Sequence, residues 1–244
     1  MLFSVSNLSS IWNVKPKGVL HVGAHEGEEW ADYRDNDWLP VIWVEGQPEL
    51  ASVLKAKLPK EFNTIIQAYV WDLDNVEMTF NIANNGQSSS LLEFGTHSKN
   101  YPQIQFDEKI SIKTRRLDSV IKATLEYDFI NIDLQGVELK ALIGLGNQLT
   151  KAKWIYSEVN KKEVYQNCTN VSDLDFFLKK YGYSRKATRW CIGKGWGDAL
   201  YVHDSVDIKY INLKSWLPQT KWYFVEIIKY VKLKISRLIH TNVA

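Results

Sequence analysis

Residues 19–33, VLHVGAHEGEEWADY, place an apolar run directly before two glycines, Gly23 and Gly27, with a charged stretch behind them. This pattern indicates a buried strand that turns sharply into a helix. The dinucleotide-binding fingerprint has the form G-x-G-x-x-G, whereas this turn has no central glycine. Glu28 and Glu29 fall in the first turns of the predicted helix, where they suit the helix dipole but would repel a pyrophosphate. The turn favours a ligand without phosphate groups, and a plain strand-to-helix turn is the alternative.

The rest of the chain repeats this alternation of apolar strand and helix. Apolar strands are predicted at residues 40–45 and 63–72, and later ones at 127–136 and 152–160. Such strands with helices between them are typical of βαβ units in a parallel sheet. The expected fold class is therefore a doubly wound, Rossmann-like α/β sheet, in which ligands bind at the carboxyl ends of the strands.

A section of different character interrupts these units. The segments that begin at Asn75 and Lys109 alternate between apolar and polar residues, as half-buried antiparallel strands do. Between them lies a polar loop, residues 84–103, whose length is typical of a functional or mobile loop. A last strand is predicted at residues 198–204. The sequence thus predicts a hairpin-like insertion within the sheet domain.

Two acidic residues are expected at the same sheet edge as Gly23. Glu45 ends the second predicted strand, 22 residues after Gly23, where nucleotide-binding folds of this class place an acid that hydrogen-bonds ribose hydroxyls. Asp133 directly follows the fourth strand. A solvated strand end is the plainer interpretation of Glu45, and a helix cap that of Asp133. The coincidence of all three features at one edge favours a ligand site there.

Six motifs occur in an order that resembles the FkbM family of methyltransferases, over roughly residues 18–203. Members of this family use S-adenosylmethionine (SAM), usually to methylate hydroxyl oxygens of sugars or natural products. The resemblance implies a class I methyltransferase sheet, SAM as cofactor and a sugar or glycan-like hydroxyl acceptor. The motifs are HVGAHEG from residue 21, WVEGQPE from 43, QSSSLL from 87, RRLDSVI from 115, NIDLQGVELKAL from 131 and IYSEVN from 155.

The resemblance also implies roles for individual residues. The first turn would face the methionine part of SAM, the end of the second strand its ribose, and the end of the third strand its adenine, with Asp72 farther off. The polar loop would close over the site, and the end of the fourth strand would stand near the reacting methyl group. In that order, the predicted cofactor-binding residues are Gly23, Ala24, His25, Glu26, Gly27, Glu45, Gln47, Ala68, Tyr69, Ser88, Ser89 and Asp133.

The chain departs from the usual family pattern at three positions. His21 stands where the family usually has an acid, and His25 stands where it usually has Asn. Gln135 replaces an acid in an Asp-x-Glu-Gly pattern. Because Mg²⁺ prefers several oxygen ligands with at least one carboxylate, the loss at Gln135 weakens the case for a catalytic metal, and no metal ligands are predicted.

Three residues are candidates for the general base that would assist a hydroxyl acceptor: Asp133, Glu158 and His97. Asp133 is best placed by topology, Glu158 ends the fifth strand, and His97 has the most suitable ordinary pKa. Each has an alternative to acting as the base: Asp133 would only bind the cofactor, Glu158 would anchor a loop, and His97 would be a solvent-exposed side chain. Trp190 and Trp196, beside the glycine-rich turn near residue 195, are candidate sugar contacts.

Composition indicates a globular chain with 45% apolar and 24% charged residues among 244. No apolar run is long enough to span a bilayer, and the N-terminus lacks the basic lead-in of a secretory signal. Cys168 and Cys191 have neither zinc-site spacing nor the setting of a disulfide framework. These features favour a reducing, cytoplasmic location.

The C-terminal region differs in charge from the rest. Residues 205–244 hold seven basic and two acidic residues, and from near Pro218 their pattern predicts a basic amphipathic helix. That helix would either contact an anionic membrane surface peripherally or pack on the protein or a second copy; the oligomeric state stays open. Because the sheet domain is mildly acidic, nucleic-acid binding is not expected. The expected division is an N-terminal segment at 1–17, a methyltransferase domain at 18–204 and a tail at 205–244.

Two other functions fit parts of the sequence. One is a nicotinamide-dependent sugar-modifying enzyme on a similar sheet, which the missing central glycine and the acids after Gly27 disfavour. The other is a SAM-binding module without catalytic activity, which the replacements His21 and Gln135 keep open.

Overall fold

The computed structural model describes residues 1–207, which contain ten strands and seven α-helices. The strands are β1 Val19–Val22, β2 Val41–Glu45, β3 Asn63–Gln67, β4 Tyr69–Val70, β5 Glu77–Ala83, β6 Phe106–Arg115, β7 Phe129–Ile132, β8 Trp154–Asn160, β9 Tyr183–Trp190 and β10 Trp196–His203. The α-helices are α1 Val5–Trp12, α2 Trp30–Asp35, α3 Pro48–Lys57, α4 His97–Asn100, α5 Leu117–Val120, α6 Glu138–Gly144 and α7 Val171–Lys179. A 3₁₀ helix, Gly146–Lys151, follows α6.

Seven strands form the main sheet in the order β3-β2-β1-β7-β8-β10-β9. The first five run parallel to their neighbours, whereas β10 runs antiparallel to both β8 and β9. The chain moves outward from β1 to β3 and then returns to the other side of β1 with β7. The predicted doubly wound α/β fold is thus confirmed, and its topological switch point lies between β1 and β7, where such sheets bind ligands.

Every residue of β1, β2, β7 and β8 is buried, because helices cover both faces of the parallel part of the sheet. Side chains that alternate along β1 enter two different hydrophobic clusters: Leu20 and Val22 lie in one, and Val19 lies in the other. The core therefore has two layers, and the central strands are held from both sides.

The N-terminal segment, expected to lie outside the methyltransferase domain, packs into the second of these layers. Phe3, Val5 and Leu8 are completely buried there. Helix α1 begins after Ser4, whose side chain accepts a hydrogen bond from the backbone N–H of Asn7 and so caps the helix. Residues 1–17 are thus part of the core of the described chain.

The predicted hairpin-like insertion is confirmed as a three-stranded sheet in the order β4-β6-β5. Strands β5 and β6 are antiparallel, and Met78 and Phe80 lie opposite Ile112 and Ile110. The intervening polar loop carries α4. This small sheet places the loop over the carboxyl ends of the main strands, as the cavity walls described below show.

Strand β9 is absent from the sequence-based prediction. Its sequence, YSRKATRW, is rich in charge, and among residues 1–207 it is an edge strand that pairs with β10 alone. Edge strands are commonly charged because this discourages pairing with another chain, so the pattern does not resemble that of a buried strand.

The predicted amphipathic tail helix, from near Pro218, lies outside the described residues. Within residues 1–207, no helix has the length and apolar character needed to cross a bilayer. Cys168 and Cys191 are not joined by a disulfide.

Gly23 generates a prediction about stability. Its φ is +87°, and a Cβ at this position would lie 1.8 Å from the carbonyl oxygen of Asp133. Gly23→Ala should therefore lower the free energy of unfolding by about 3 kcal/mol or more, measured by urea denaturation. Gly86→Ala is the matched control, because Gly86 has a similar φ of +71° but its nearest neighbour is the His25 side chain at 3.1 Å. Equal losses in the two variants would show that the contact with Asp133 is unimportant.

Candidate functional site

Two adjoining cavities open at the carboxyl ends of the central strands. The smaller has a volume of about 80 Å³ and lies beside the ends of β2 and β3. The larger has a volume of about 570 Å³ and lies beside the ends of β7, β8 and the start of β10. The residues that line both cavities are Gly23, His25, Gln87, Asp133 and Gln135.

Glu45 is the buried acid of the smaller cavity, with 7% of its surface exposed. Its carboxylate accepts the backbone N–H of His25 at 2.8 Å and that of Gln47 at 2.9 Å. Burial raises the pKa of Glu45, although these two hydrogen bonds oppose the rise by favouring the ionised form. Each carboxylate oxygen can accept a second hydrogen bond, so Glu45 retains acceptor capacity for a ligand with two hydroxyls.

The remaining walls of the smaller cavity are largely apolar. Ala68 and Tyr69 line it, as predicted, and the Tyr69 ring lies 4.9 Å from that of Phe80, measured between centroids. The Tyr69 hydroxyl is buried with no hydrogen-bond partner among the described residues, and burial raises the pKa of Tyr69 to about 12. The smaller cavity thus combines two acids, Glu45 and Asp133, with the aromatic rings of Tyr69 and Phe80.

Two predicted cofactor-binding residues of the first turn line neither cavity. Glu26 is exposed, and its backbone carbonyl accepts a hydrogen bond from Lys57 Nζ at 2.9 Å. Gly27 faces α3, because a Cβ there would lie 2.8 Å from Leu54 Cδ2. Gly27 therefore allows α3 to pack closely against the first turn. Asp72, predicted to lie farther off, also lines neither cavity and pairs with Lys140 at 2.7 Å.

The other predicted cofactor-binding residues lie on cavity walls. The polar loop supplies two of them: Ser89 lines the smaller cavity, and Ser88 lines the larger one. The loop is tied to the first turn through Glu28, whose Oε1 contacts His25 Nδ1 at 2.7 Å and accepts from Gln87 Nε2 at 3.4 Å. The first turn and the loop thus form one hydrogen-bonded wall.

All three candidate bases line the larger cavity: Asp133, Glu158 and His97. Asp133 is exposed and is the one that also lines the smaller cavity. Burial raises the pKa of Glu158 well above its usual range, and the neighbouring charge of Asp133 adds to the effect. The raised pKa favours the protonated form of this carboxyl group, which makes Glu158 less suited than Asp133 to act as the base.

His97 lies in an aromatic cluster, with only 5% of its surface exposed. Its ring stacks on Phe94 at 4.3 Å between centroids and lies near Tyr101 and Tyr165. Burial, followed by the charge of Lys194, lowers the pKa of His97 to about 4. His97 was a candidate base because of the ordinary pKa of histidine, and burial at this position moves its pKa away from that value. A neutral His97 can accept a hydrogen bond but is a weak base at neutral pH.

His21, one of the departures from the family pattern, is buried in β1 beside the larger cavity. Its ring stacks on Trp43 at 4.8 Å between centroids, and its Nδ1 lies 3.2 Å from the Tyr33 hydroxyl. Burial lowers the pKa of His21, which favours a neutral ring. A neutral side chain thus occupies the position at which the family usually has an acid.

The larger cavity is acidic and partly aromatic, and no Lys or Arg side chain of the described residues lines it. Sequence reasoning identified Trp196 on this wall, whereas Trp190 lines neither cavity. Several lining residues were missed because they lie far apart in the chain. The acids that line this cavity are Glu28, Glu29, Asp133, Glu158 and Asp198. The aromatic lining residues that were not predicted from the sequence are Tyr101, Tyr156 and Tyr165.

Comparison with known proteins gives one family match. The model described as "Methyltransferase FkbM domain" matches residues 21–185. A curated relative, 2-O-methyltransferase NoeI from Sinorhizobium fredii (strain NBRC 101917 / NGR234), is 38% identical over 81 residues. That match covers 32% of this chain and 33% of the relative, so it spans about a third of the relative's length.

Solved structures show weaker likeness. A SAM-dependent methyltransferase from Aquifex aeolicus is 13% identical with a TM-score of 0.46, over 82% of this chain and 89% of that chain. The magnesium protoporphyrin IX methyltransferase ChlM from Synechocystis PCC 6803, solved with bound SAM, is 12% identical with a TM-score of 0.42. This second similarity covers 76% of the present chain and 69% of ChlM.

Glu138, at the start of α6, generates a prediction about pH. Burial raises its pKa from the ordinary value of 4.5 to about 7. The folded protein therefore keeps a proton that the unfolded chain releases, so the free energy of unfolding falls as the pH rises through this window. Glu138→Gln should make that fall shallower between pH 5 and pH 8, measured by urea denaturation at several pH values.

Glutamine at this position keeps an oxygen for the backbone N–H groups of Leu134 and Gly136, which Glu138 accepts at 2.9 Å each. Glu49→Gln, at an exposed position in α3, is the control and should leave the slope unchanged. The same pH slope in wild type and Glu138→Gln would contradict the assignment.

Proposed function

The chain belongs to the FkbM methyltransferase family, and we propose that within it the protein is an O-methyltransferase acting on a neutral sugar or sugar-like hydroxyl. SAM is the methyl donor of this enzyme. Membership of a methyltransferase family removes the alternative of a nicotinamide-dependent enzyme. The observation that carries the proposal is the position of Asp133 on the walls of both cavities.

The smaller cavity fits the nucleoside part of SAM. Glu45 has acceptor capacity left for the two ribose hydroxyls, and Gln47 lies beside it. Tyr69, Phe80 and Ala68 supply an apolar and aromatic surface of the kind that contacts a purine. Gly23, Ala24 and His25 would lie toward the methionine part, where the two cavities meet. When bound, SAM supplies a methyl group on a positively charged sulfur, which is an activated donor.

Asp133 would act as the general base at the junction of the cavities. Bound SAM would give up its methyl group to the acceptor oxygen and leave as S-adenosylhomocysteine. The hydroxyl proton needs an acceptor during this transfer, and the exposed Asp133 carboxylate would take it. Glu158, next to Asp133, would add a polar group to the wall of the larger cavity. Most of the rate acceleration would come from holding the acceptor oxygen in line with the methyl group, at about 3–3.5 Å.

The lining of the larger cavity supports a neutral acceptor that carries several hydroxyls. Tyr101, Tyr156 and Trp196 offer aromatic surface to the C–H face of a sugar ring. Carboxyl and amide groups can bind its hydroxyls, whereas no Lys or Arg side chain of the described residues lines the cavity. The positive charge among the described lining residues is the Met1 ammonium, which already pairs with Glu29 at 3.6 Å. The relative described as a 2-O-methyltransferase supports transfer to oxygen, over the third of its length that matches.

Glu45 provides the test of the cofactor site. Glu45→Ala should weaken binding of S-adenosylhomocysteine by about 10- to 100-fold in calorimetry, because hydrogen bonds to a charged group contribute about 1.5–3 kcal/mol. Glu45→Gln, which keeps one acceptor oxygen for the turn, should show a smaller loss. Glu49→Gln is the exposed control and should bind normally. Unchanged affinity in a folded Glu45→Ala protein would remove the proposed ribose contact.

The acceptor class is tested by methyl transfer from radiolabelled SAM. Neutral methyl glycosides and oligosaccharides should be better acceptors than the matching sugar phosphates, by about tenfold or more in kcat/KM, because the cavity repels added negative charge. Asp133→Asn should lower kcat by about 10²- to 10⁴-fold for any accepted sugar, with affinity for S-adenosylhomocysteine largely kept. Preference for the phosphates would contradict the neutral-sugar assignment, and full activity of Asp133→Asn would contradict the base.

A further inference from the structure

Three carboxyl groups lie close together at the carboxyl ends of β7 and β8 and the start of α6. Asp133, Glu138 and Glu158 each have a carboxylate oxygen within 4.8 Å of one in each of the others. Oxygen ligands at such spacing are what a divalent cation such as Mg²⁺ requires. The neighbouring side chains determine whether a cation can bind between these three carboxyl groups.

The side chain of Gln135 lies between two of these acids. Its Nε2 donates to Asp133 Oδ1 at 2.6 Å and to Glu158 Oε2 at 3.0 Å. A glutamine amide has two N–H donors, so both are used on the two carboxyl groups. The reverse orientation of the amide would set its oxygen against two carboxyl oxygens. The amide nitrogen is thus the group that faces both acids, and a nitrogen that carries two hydrogens cannot bind a cation.

The rest of Gln135 is fixed by the protein. The Tyr165 hydroxyl donates to Gln135 Oε1 at 2.6 Å, and Ser90 Oγ donates to the Gln135 backbone carbonyl at 2.9 Å. The backbone of Gln135 has a φ of +54°, a left-handed conformation that is uncommon for residues other than glycine. Because hydrogen bonds from Tyr165 and Ser90 hold both the side chain and the backbone of Gln135, the position of the amide is fixed by the fold.

Glu138, the third acid, is directed toward the turn. Its Oε1 accepts the backbone N–H groups of Leu134 and Gly136 at 2.9 Å each, which fixes the turn between β7 and α6. This turn carries Gln135 itself. The third carboxyl group therefore supports the position of the amide between the other two.

We propose that Gln135 is a positioning residue whose amide takes the place of a cation between Asp133 and Glu158, so that methyl transfer by this enzyme is independent of divalent metal. The inference rests on the proposed role of Asp133 as the base. Two N–H groups give the two acids the attraction that a metal would otherwise supply, and they hold Asp133 facing the junction of the cavities. The family's usual acid at this position would instead add a third oxygen ligand.

Gln135→Glu provides the decisive variant, because it exchanges the amide for a carboxylate of the same length. Wild-type methyl transfer should be unchanged by EDTA and by added Mg²⁺ or Mn²⁺. Gln135→Glu should be inactive in EDTA and recover activity with Mg²⁺ or Mn²⁺. Binding of Mn²⁺, followed by calorimetry and by its electron paramagnetic resonance signal, should be at least about tenfold tighter in Gln135→Glu than in wild type.

Gln87→Glu is the matched control for added charge. Gln87 also lines both cavities, but its Nε2 contacts Glu28 at 3.4 Å and does not lie between Asp133 and Glu158. Its Mn²⁺ affinity should stay at the wild-type level. Gln135→Ala removes the amide without adding charge. It should lower kcat while keeping affinity for S-adenosylhomocysteine, and Mg²⁺ should not restore its rate.

Several results would overturn the inference. Loss of wild-type activity in EDTA with recovery in Mg²⁺ would show that the amide does not replace a cation. A folded Gln135→Glu protein that binds S-adenosylhomocysteine but binds Mn²⁺ no better than wild type would do the same. If wild type methylates no sugar, the proposed acceptor class fails, whereas the Mn²⁺ comparison still decides the role of Gln135 because it needs no acceptor.

Discussion

The close contact between Gly23 and the backbone of Asp133 fixes the geometry on which both cavities depend. A Cβ at residue 23 would lie 1.8 Å from the Asp133 carbonyl oxygen, so the end of β1 can lie against the turn after β7 only because this side chain is missing. This approach sets Asp133 on the walls of both cavities. It also directs the first turn toward β2, where His25 donates its backbone N–H to Glu45 at 2.8 Å. Asp133 therefore places one carboxyl group on the walls of both cavities.

Neighbouring groups act in opposite directions on the pKa values of the buried acids Glu45 and Glu158. Glu45 is buried but receives two backbone N–H groups, which favour its charged form. Glu158 has a raised pKa because it is buried, with Asp133 and Glu138 close by. The amide of Gln135 donates to both Asp133 and Glu158, so one neutral group contacts both acids. In the proposed mechanism, Glu45 would bind the cofactor and Asp133 would take the proton.

Local sequence patterns predicted the lining of the smaller cavity better than that of the larger cavity. Gly23, Glu45 and Asp133 each follow an apolar strand, and parallel strands bring their carboxyl ends to one edge, so spacing along the chain was sufficient to group them. Gly27 and His97 were misjudged for another reason. The neighbours that determine their roles, Leu54 for the glycine and an aromatic cluster for the histidine, come from distant segments. Strand β9 was not predicted, because the charged residues typical of an edge strand interrupt the alternation of apolar and polar residues.

The far wall of the larger cavity explains why its specificity is hard to derive from sequence. The backbone N–H of Leu2 donates to Asp198 at 2.6 Å, and that of Phe3 donates to the Tyr156 hydroxyl at 3.0 Å. Arg189 of β9 donates to the Leu2 carbonyl at 2.8 Å, and its guanidinium lies 4.2 Å from the centre of the Phe3 ring. The first residues of the chain, β8 and the antiparallel strands β9 and β10 thus build one wall through contacts that span more than 150 residues. None of the residues in these contacts lines the smaller cavity, so changes in this wall should leave the proposed SAM contacts in place. The larger cavity depends on this distant pairing because it lies where the sheet changes from parallel to antiparallel strands.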